Sequence, residues 1–190
     1  LEVYEKEVPK ALMTYLKKNK KHLKDYVRNT WAKSKFKTTG TWKEVFGDTP
    51  EAKAFFTTWQ YATYINYGAK AGRKAYNLPM MVNSWIVQKP EDLPGVYPNG
   101  GPVSRVMDIW KAAAPDIDIL SPDIYLSNFK EIIAMYHRDD NPLLVPESKA
   151  EIGRAFYAFG EHDAICFSPF GIEDAADNFV FTKSYEVLNE

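Results

Sequence analysis

Four short apolar runs, each leaving into polar or aromatic residues and each separated from the next by a helical pattern, leave this chain few folds to adopt. They are Leu78–Asn83, Ile117–Asp123, Leu143–Glu147 and Ala164–Phe170. All are too short for helices and are fenced by Pro, Gly, Asn or Asp, which predicts strands. Near-continuous apolarity predicts strands covered on both faces. Helices are predicted from about Val103 to Ala113, from Asn128 to His137, and from Lys149 to Gly160, where a glycine suits the C-cap. Strands alternating with helices in this way imply a parallel sheet with right-handed crossovers.

Upstream of the first strand the pattern is helical. Residues 5–35 read as helix, with Pro9 near the first turn and Leu12, Leu16, Leu23 and Val27 on one face. Thr49-Pro50-Glu51 is a strong helix start, with a hydroxyl cap, proline at the first helical position and acid in the first turn. That helix should run to about Tyr76, with Phe55, Trp59, Ala62 and either Ile65 or Asn66 inward. Tyr61, Tyr64 and Tyr67 read as packing residues. The loop containing Pro90, Pro94, Pro98 and Asn99-Gly-Gly-Pro102 is long enough to carry function.

Charge is uneven: residues 1–47 hold 12 Lys and Arg against 5 Asp and Glu, whereas residues 101–190 hold 7 against 16. The run Lys17-Lys18-Asn19-Lys20-Lys21 falls on an amphipathic pattern and reads as a solvated helix face rather than a phosphate site. A net charge of −1 argues for neither nucleic acid nor a membrane surface. The single Cys166 rules out an internal disulfide framework, and no metal-ligand set or cofactor is expected. The 15% of aromatic residues suits sugar binding and serves a core equally well. His22, His137 and His162 lie away from the strand exits and receive no role.

Glu147 ends the third strand, where βα loops build the active sites of α/β barrels. Two readings stand side by side. One makes it a cap or ion-pair partner for the helix that starts near Lys149, the other a functional carboxylate. Four strands do not close a barrel, which takes roughly 250 residues. Such a sheet leaves two open edges, so the chain is either a small open sheet or half of a larger structure.

The order of the motifs sharpens the choice. Ser121-Pro-Asp-Ile-Tyr125, Asp140-Asn-Pro-Leu-Leu-Val-Pro-Glu147 and the run from Ala155 to Glu173 resemble the later half of a bacterial β-galactosidase-like barrel. The group is family 35 of the glycoside hydrolases, in the branch with an additional C-terminal β domain. Leu78–Asn83, Tyr97-Pro-Asn-Gly-Gly-Pro102 and Asp108-Ile-Trp110-Lys match the same pattern upstream. The resemblance is strongest over residues 78–174.

The resemblance implies a fold class of α/β, specifically the C-terminal half of a (β/α)8 TIM barrel. Residues 1–77 would be a helical segment after the fourth strand, 78–174 strands five to eight, and 175–190 an exit segment. It implies a retaining exo-glycosidase acting on terminal β-galactosides of oligosaccharides or plant polysaccharides, periplasmic or secreted in a bacterium. Glu147 would be the nucleophile and Tyr125 the residue that positions it. Asn83, Trp85, Tyr97, Asp123 and Phe170 would contact the sugar, though Phe170 also suits packing and Asp123 suits a supporting role. The family's acid/base Glu belongs to an Asn-Glu strand end that these residues lack; Glu5 and Glu7 follow no apolar run. The chain is therefore expected to be a fragment whose apolar edges are covered by the missing half or by a second copy. The alternatives are a related specificity, such as arabinopyranoside or glucoside, and a non-catalytic carbohydrate-binding or interaction protein.

Overall fold

The computed structural model describes residues 6–175 and 179–189. The architecture is mixed α/β, with a four-stranded parallel sheet in the order β1-β2-β3-β4. The strands are β1 (Met81–Ser84), β2 (Ile119–Ile124), β3 (Leu144–Ser148) and β4 (Cys166–Pro169). Each ends within one residue of its predicted run and begins one to three residues later. The chain divides into two compact units at the bond between Asp118 and Ile119.

The first unit contains α1 (Lys10–Lys18), α2 (Asp25–Ala32), α3 (Trp42–Phe46), α4 (Pro50–Ala75), β1, a short 3-10 turn at Ser104–Val106, and α5 (Met107–Ala113). The single helix expected over residues 5–35 is instead two. Pro9 stands before α1 in extended backbone, at φ −59° and ψ 134°. Past Lys18 the lysines at 17, 20, 21 and 24 would stack like charges three and four residues apart, which opposes continued helix. The chain turns there, and Lys20 settles its ammonium 3.4 Å from the centre of the Phe36 ring. A second helix is then started from a distance: the buried Asp108 carboxylate accepts from Lys24 N at 2.7 Å, satisfying a donor at the start of α2.

Local signals fix α4. Thr49 Oγ1 accepts from Ala52 N, and Pro50 opens the helix. Phe55 and Ala62 are buried as expected; of the alternatives at 65 and 66, Asn66 turns in and exchanges two hydrogen bonds with Asp116. The tyrosines differ from expectation. Tyr64 is 76% exposed and Tyr67 80%, because they lie outside the stripe defined by Phe55, Ala62 and Ala69. Tyr61 is also exposed, with its ring against Gly100. Trp42, Phe46, Phe55 and Phe56 form a cluster with edge-to-face contacts 5.4–5.5 Å between centroids, each worth about 0.5–1.5 kcal/mol beyond its buried area. The strand register of β1 is pinned within this unit, where Asp118 N donates to Met80 O and Met80 N donates to Asp118 Oδ2.

The second unit contains β2, α6 (Phe129–Tyr136), β3, α7 (Ile152–His162), β4 and α8 (Phe179–Leu188). Within the expected exit segment, α8 is described, whereas residues 176–178 and 190 lie outside the described residues. Parallel pairing joins β2 to β3 and β3 to β4. Ile124, Val145, Ser148 and Phe167 form the buried face. Asn141 ties strand to helix: its side chain accepts from Leu120 N at 2.9 Å and donates to Leu120 O and Tyr136 O, both at 3.0 Å. α7 does not stop at Gly160. It continues to His162, whose buried ring packs on Tyr157 and meets His137 nitrogen to nitrogen at 3.0 Å. Asp163 then ends the helix in left-handed backbone at φ 48°, a conformation aspartate tolerates better than most residues.

Candidate functional site

Proline at position 146 decides where Glu147 points. A proline cannot donate to the ladder and is tolerated in a strand where pairing is interrupted. Opposite it, Val145 pairs with Phe167 and Ser148 with Pro169, so three steps on β3 face two on β4. That extra residue is a β-bulge. Strict alternation would put Glu147 on the same face as the fully buried Val145. With the bulge, Ser148 takes the buried side and Glu147 emerges half-buried on the other.

On β2 the register is Asp123 with Glu147 and Ile124 with Ser148. Side chains paired across parallel strands share a face, so Asp123, Tyr125 two residues on, and Glu147 belong together. Tyr125 Oη donates to Glu147 Oε1 at 2.5 Å. Its pKa is pushed up from 10.0 to about 12, by burial first, then by the Glu147 hydrogen bond and charge, and last by Asp123. The phenol thus keeps its proton across the physiological range. Glu147 is not a helix cap, since α7 begins at Ile152 with Glu151 before it. Nor does it pair with Arg154, whose Nε bonds Glu151 at 2.7 Å.

The other expected contacts have these positions. Phe170 is 70% exposed immediately after β4, with its backbone N donating to Ser148 O at 2.8 Å. Asn83 is exposed in β1, and Trp85 is half-buried just beyond it. Tyr97 is only 5% exposed; its ring lies 5.6 Å from the Arg105 guanidinium, so within the first unit it packs rather than walls a cleft. Nearby Gly100 adopts φ +100°, and Trp110 Nε1 donates to its carbonyl at 3.0 Å.

A cleft of about 570 Å³ opens in the second unit between the first turns of α6 and α7, lined among others by Asn128, Lys130, Lys149 and Tyr157. None of the residues expected to contact sugar lines it, and the Tyr125–Glu147 pair lies elsewhere. Among the described residues no cluster of three His, Cys, Asp or Glu is arranged to hold a metal, and no helix is long and apolar enough to cross a membrane.

Sequence reasoning missed three features: the bulge, the His137–His162 contact, and Arg154. A signal for the last was present. Arg154 occupies the buried stripe of α7 with Ala155, Ala158 and His162, where an arginine needs partners.

No model of a known protein family matches the chain, and no curated protein matches it at a significant level. The functional reading therefore rests on the geometry and on the motif resemblance.

Proposed function

We propose that this chain supplies the nucleophile-bearing half of a (β/α)8 barrel in a retaining exo-glycosidase of the family 35 type, acting on terminal β-galactosides of oligosaccharides or plant polysaccharides outside the bacterial cytoplasm. The observation that supports it is the Tyr125–Glu147 hydrogen bond on one face of adjacent parallel strand exits. A nucleophilic carboxylate must be ionised and fixed. Tyr125 holds Oε1 and stays protonated, which leaves Oε2 for attack.

In this reading Glu147 Oε2 forms a bond to the anomeric carbon as the bond to the leaving oxygen breaks. That oxygen takes its proton from a second carboxyl group, contributed by a further polypeptide segment about 5–5.5 Å from Glu147. The same group then deprotonates water, which attacks the anomeric carbon and releases sugar and free Glu147. Asp123 lies beside the nucleophile, and the exposed ring of Phe170 offers an apolar face to a pyranose.

The test is Glu147→Gln in the enzyme carrying both carboxylates. Turnover should fall by several powers of ten with folding intact, and a mechanism-based fluoro-sugar should label Glu147. Retention of most activity would overturn the assignment. Sugar binding with no hydrolysis in any assembly would favour the non-catalytic reading.

A further inference from the structure

The carbonyls of the residues before and after Tyr125 are held by one side chain. Arg154 Nη1 donates to Ile124 O at 3.0 Å, and Arg154 Nη2 donates to Leu126 O at 3.0 Å. The same Nη1 reaches Ser148 Oγ at 3.4 Å, and that hydroxyl donates to Ile124 O at 2.8 Å. Nε is oriented by Glu151, and the guanidinium lies 5.0 Å from the centre of the Phe129 ring. With 8% exposure, Arg154 is almost wholly removed from water. Such a charge is expensive to bury unless its donors are used, and here the rigid fork matches carbonyls two residues apart.

We propose that Arg154 is the positioning residue of the Tyr125–Glu147 pair. It clamps the backbone before and after Tyr125, while Ser148, covalently next to Glu147, is bound into the same carbonyl. The clamp approaches from the buried side, where Ile124 and Ser148 point. Tyr125 and Glu147 emerge on the other side with their backbones fixed. A lysine in its place carries the charge as a single point and cannot span both carbonyls. The catalytic consequence rests on the glycosidase reading; the geometric one does not.

The experiment follows Tyr125 ionisation in the 190-residue chain with tyrosine labelled by 13C at Cζ, the Tyr125 resonance being the one lost in Tyr125→Phe. At pH 10.5 a phenol titrating at about 12 is ~3% ionised, and one at the ordinary value of 10.0 is ~75% ionised. Arg154→Lys and Arg154→Met, checked for folding by far-ultraviolet circular dichroism, should move Tyr125 from the first condition toward the second. Ser148→Ala, which deletes one hydroxyl, should move it part of the way, and it decides the matter if neither arginine variant folds. Tyr125 remaining neutral at pH 10.5 in a folded variant would overturn the proposal. In the intact enzyme Arg154→Lys should lower kcat by about 10- to 100-fold with KM nearly unchanged, a split that a purely stabilising residue does not produce. If Tyr125 shifts as expected while Glu147→Gln retains turnover, the clamp stands and the glycosidase reading falls.

Discussion

Replacing Asn141 with alanine removes three buried hydrogen bonds with one substitution. The amide accepts from Leu120 N and donates to Leu120 O and Tyr136 O at 2.9–3.0 Å, and its side chain is fully buried. Truncation leaves a donor and two acceptors without their partner. Since a net bond is worth about 1 kcal/mol and an orphaned buried group costs about 1–3 kcal/mol, the loss should be about 2–4 kcal/mol. That is a large part of the stability of an ordinary domain, about 5–15 kcal/mol. Asn141→Asp keeps the acceptor for Leu120 N but turns a carboxylate oxygen toward two carbonyls. Burial and those oxygens raise the folded pKa above the unfolded value of about 3.9. The protonated form is therefore favoured in the fold, and the deficit grows as pH rises from the unfolded value toward the folded pKa. Urea unfolding at pH 4.5 and pH 7, with amide exchange read at Leu120, measures both. All five tryptophans lie in the first unit, so their fluorescence serves as an internal control. An Asn141→Ala loss below about 1 kcal/mol, or an Asn141→Asp deficit independent of pH, would refute the reasoning.

Two further outcomes are expected. Burial, and then the neighbouring His137, hold the His162 imidazole below its ordinary pKa of 6.5, against the opposing pull of Glu161 and Asp163. The folded form resists protonation, so stability is present above pH 6.5 and is lost as pH falls below it; His162→Gln should flatten that acid slope in melting curves between pH 7.5 and 5, and an unchanged slope would remove His162 as its source. Gly100→Ala should destabilise the first unit by about 1–3 kcal/mol, because the backbone has φ +100° and the new methyl would meet Tyr61 Cδ2 at 2.6 Å. Tryptophan fluorescence in urea reads it through Trp110, and an unchanged midpoint would show that the loop relaxes freely.

Features whose causes lie within a few residues are legible in the amino-acid sequence. Thr49, Pro50 and Glu51 mark the start of α4, and the fenced apolar runs mark four strands. Motif resemblance pairs Tyr125 with Glu147, and the fold brings their side chains into contact. Two helix ends depart from the local pattern for a shared reason. The restart of helix at α2 is supported by Asp108, 84 positions from the Lys24 amide it satisfies, and the extension past Gly160 is supported by His137 across the unit.

The sequence by itself determined the four strands, their parallel direction and the helices α4 to α7 to within about a turn, because periodicity, caps and connection length act locally. Only the tertiary structure decided which way Glu147 faces. That direction follows from a three-to-two mismatch between β3 and β4, a property of a pair of strands rather than of either one. Likewise the acceptors that Arg154 needs, the carbonyls of Ile124 and Leu126, lie 30 and 28 positions away and are supplied only by folding. Burial makes those bonds matter, since a guanidinium taken out of water must find acceptors in the protein, and here the acceptors flank Tyr125.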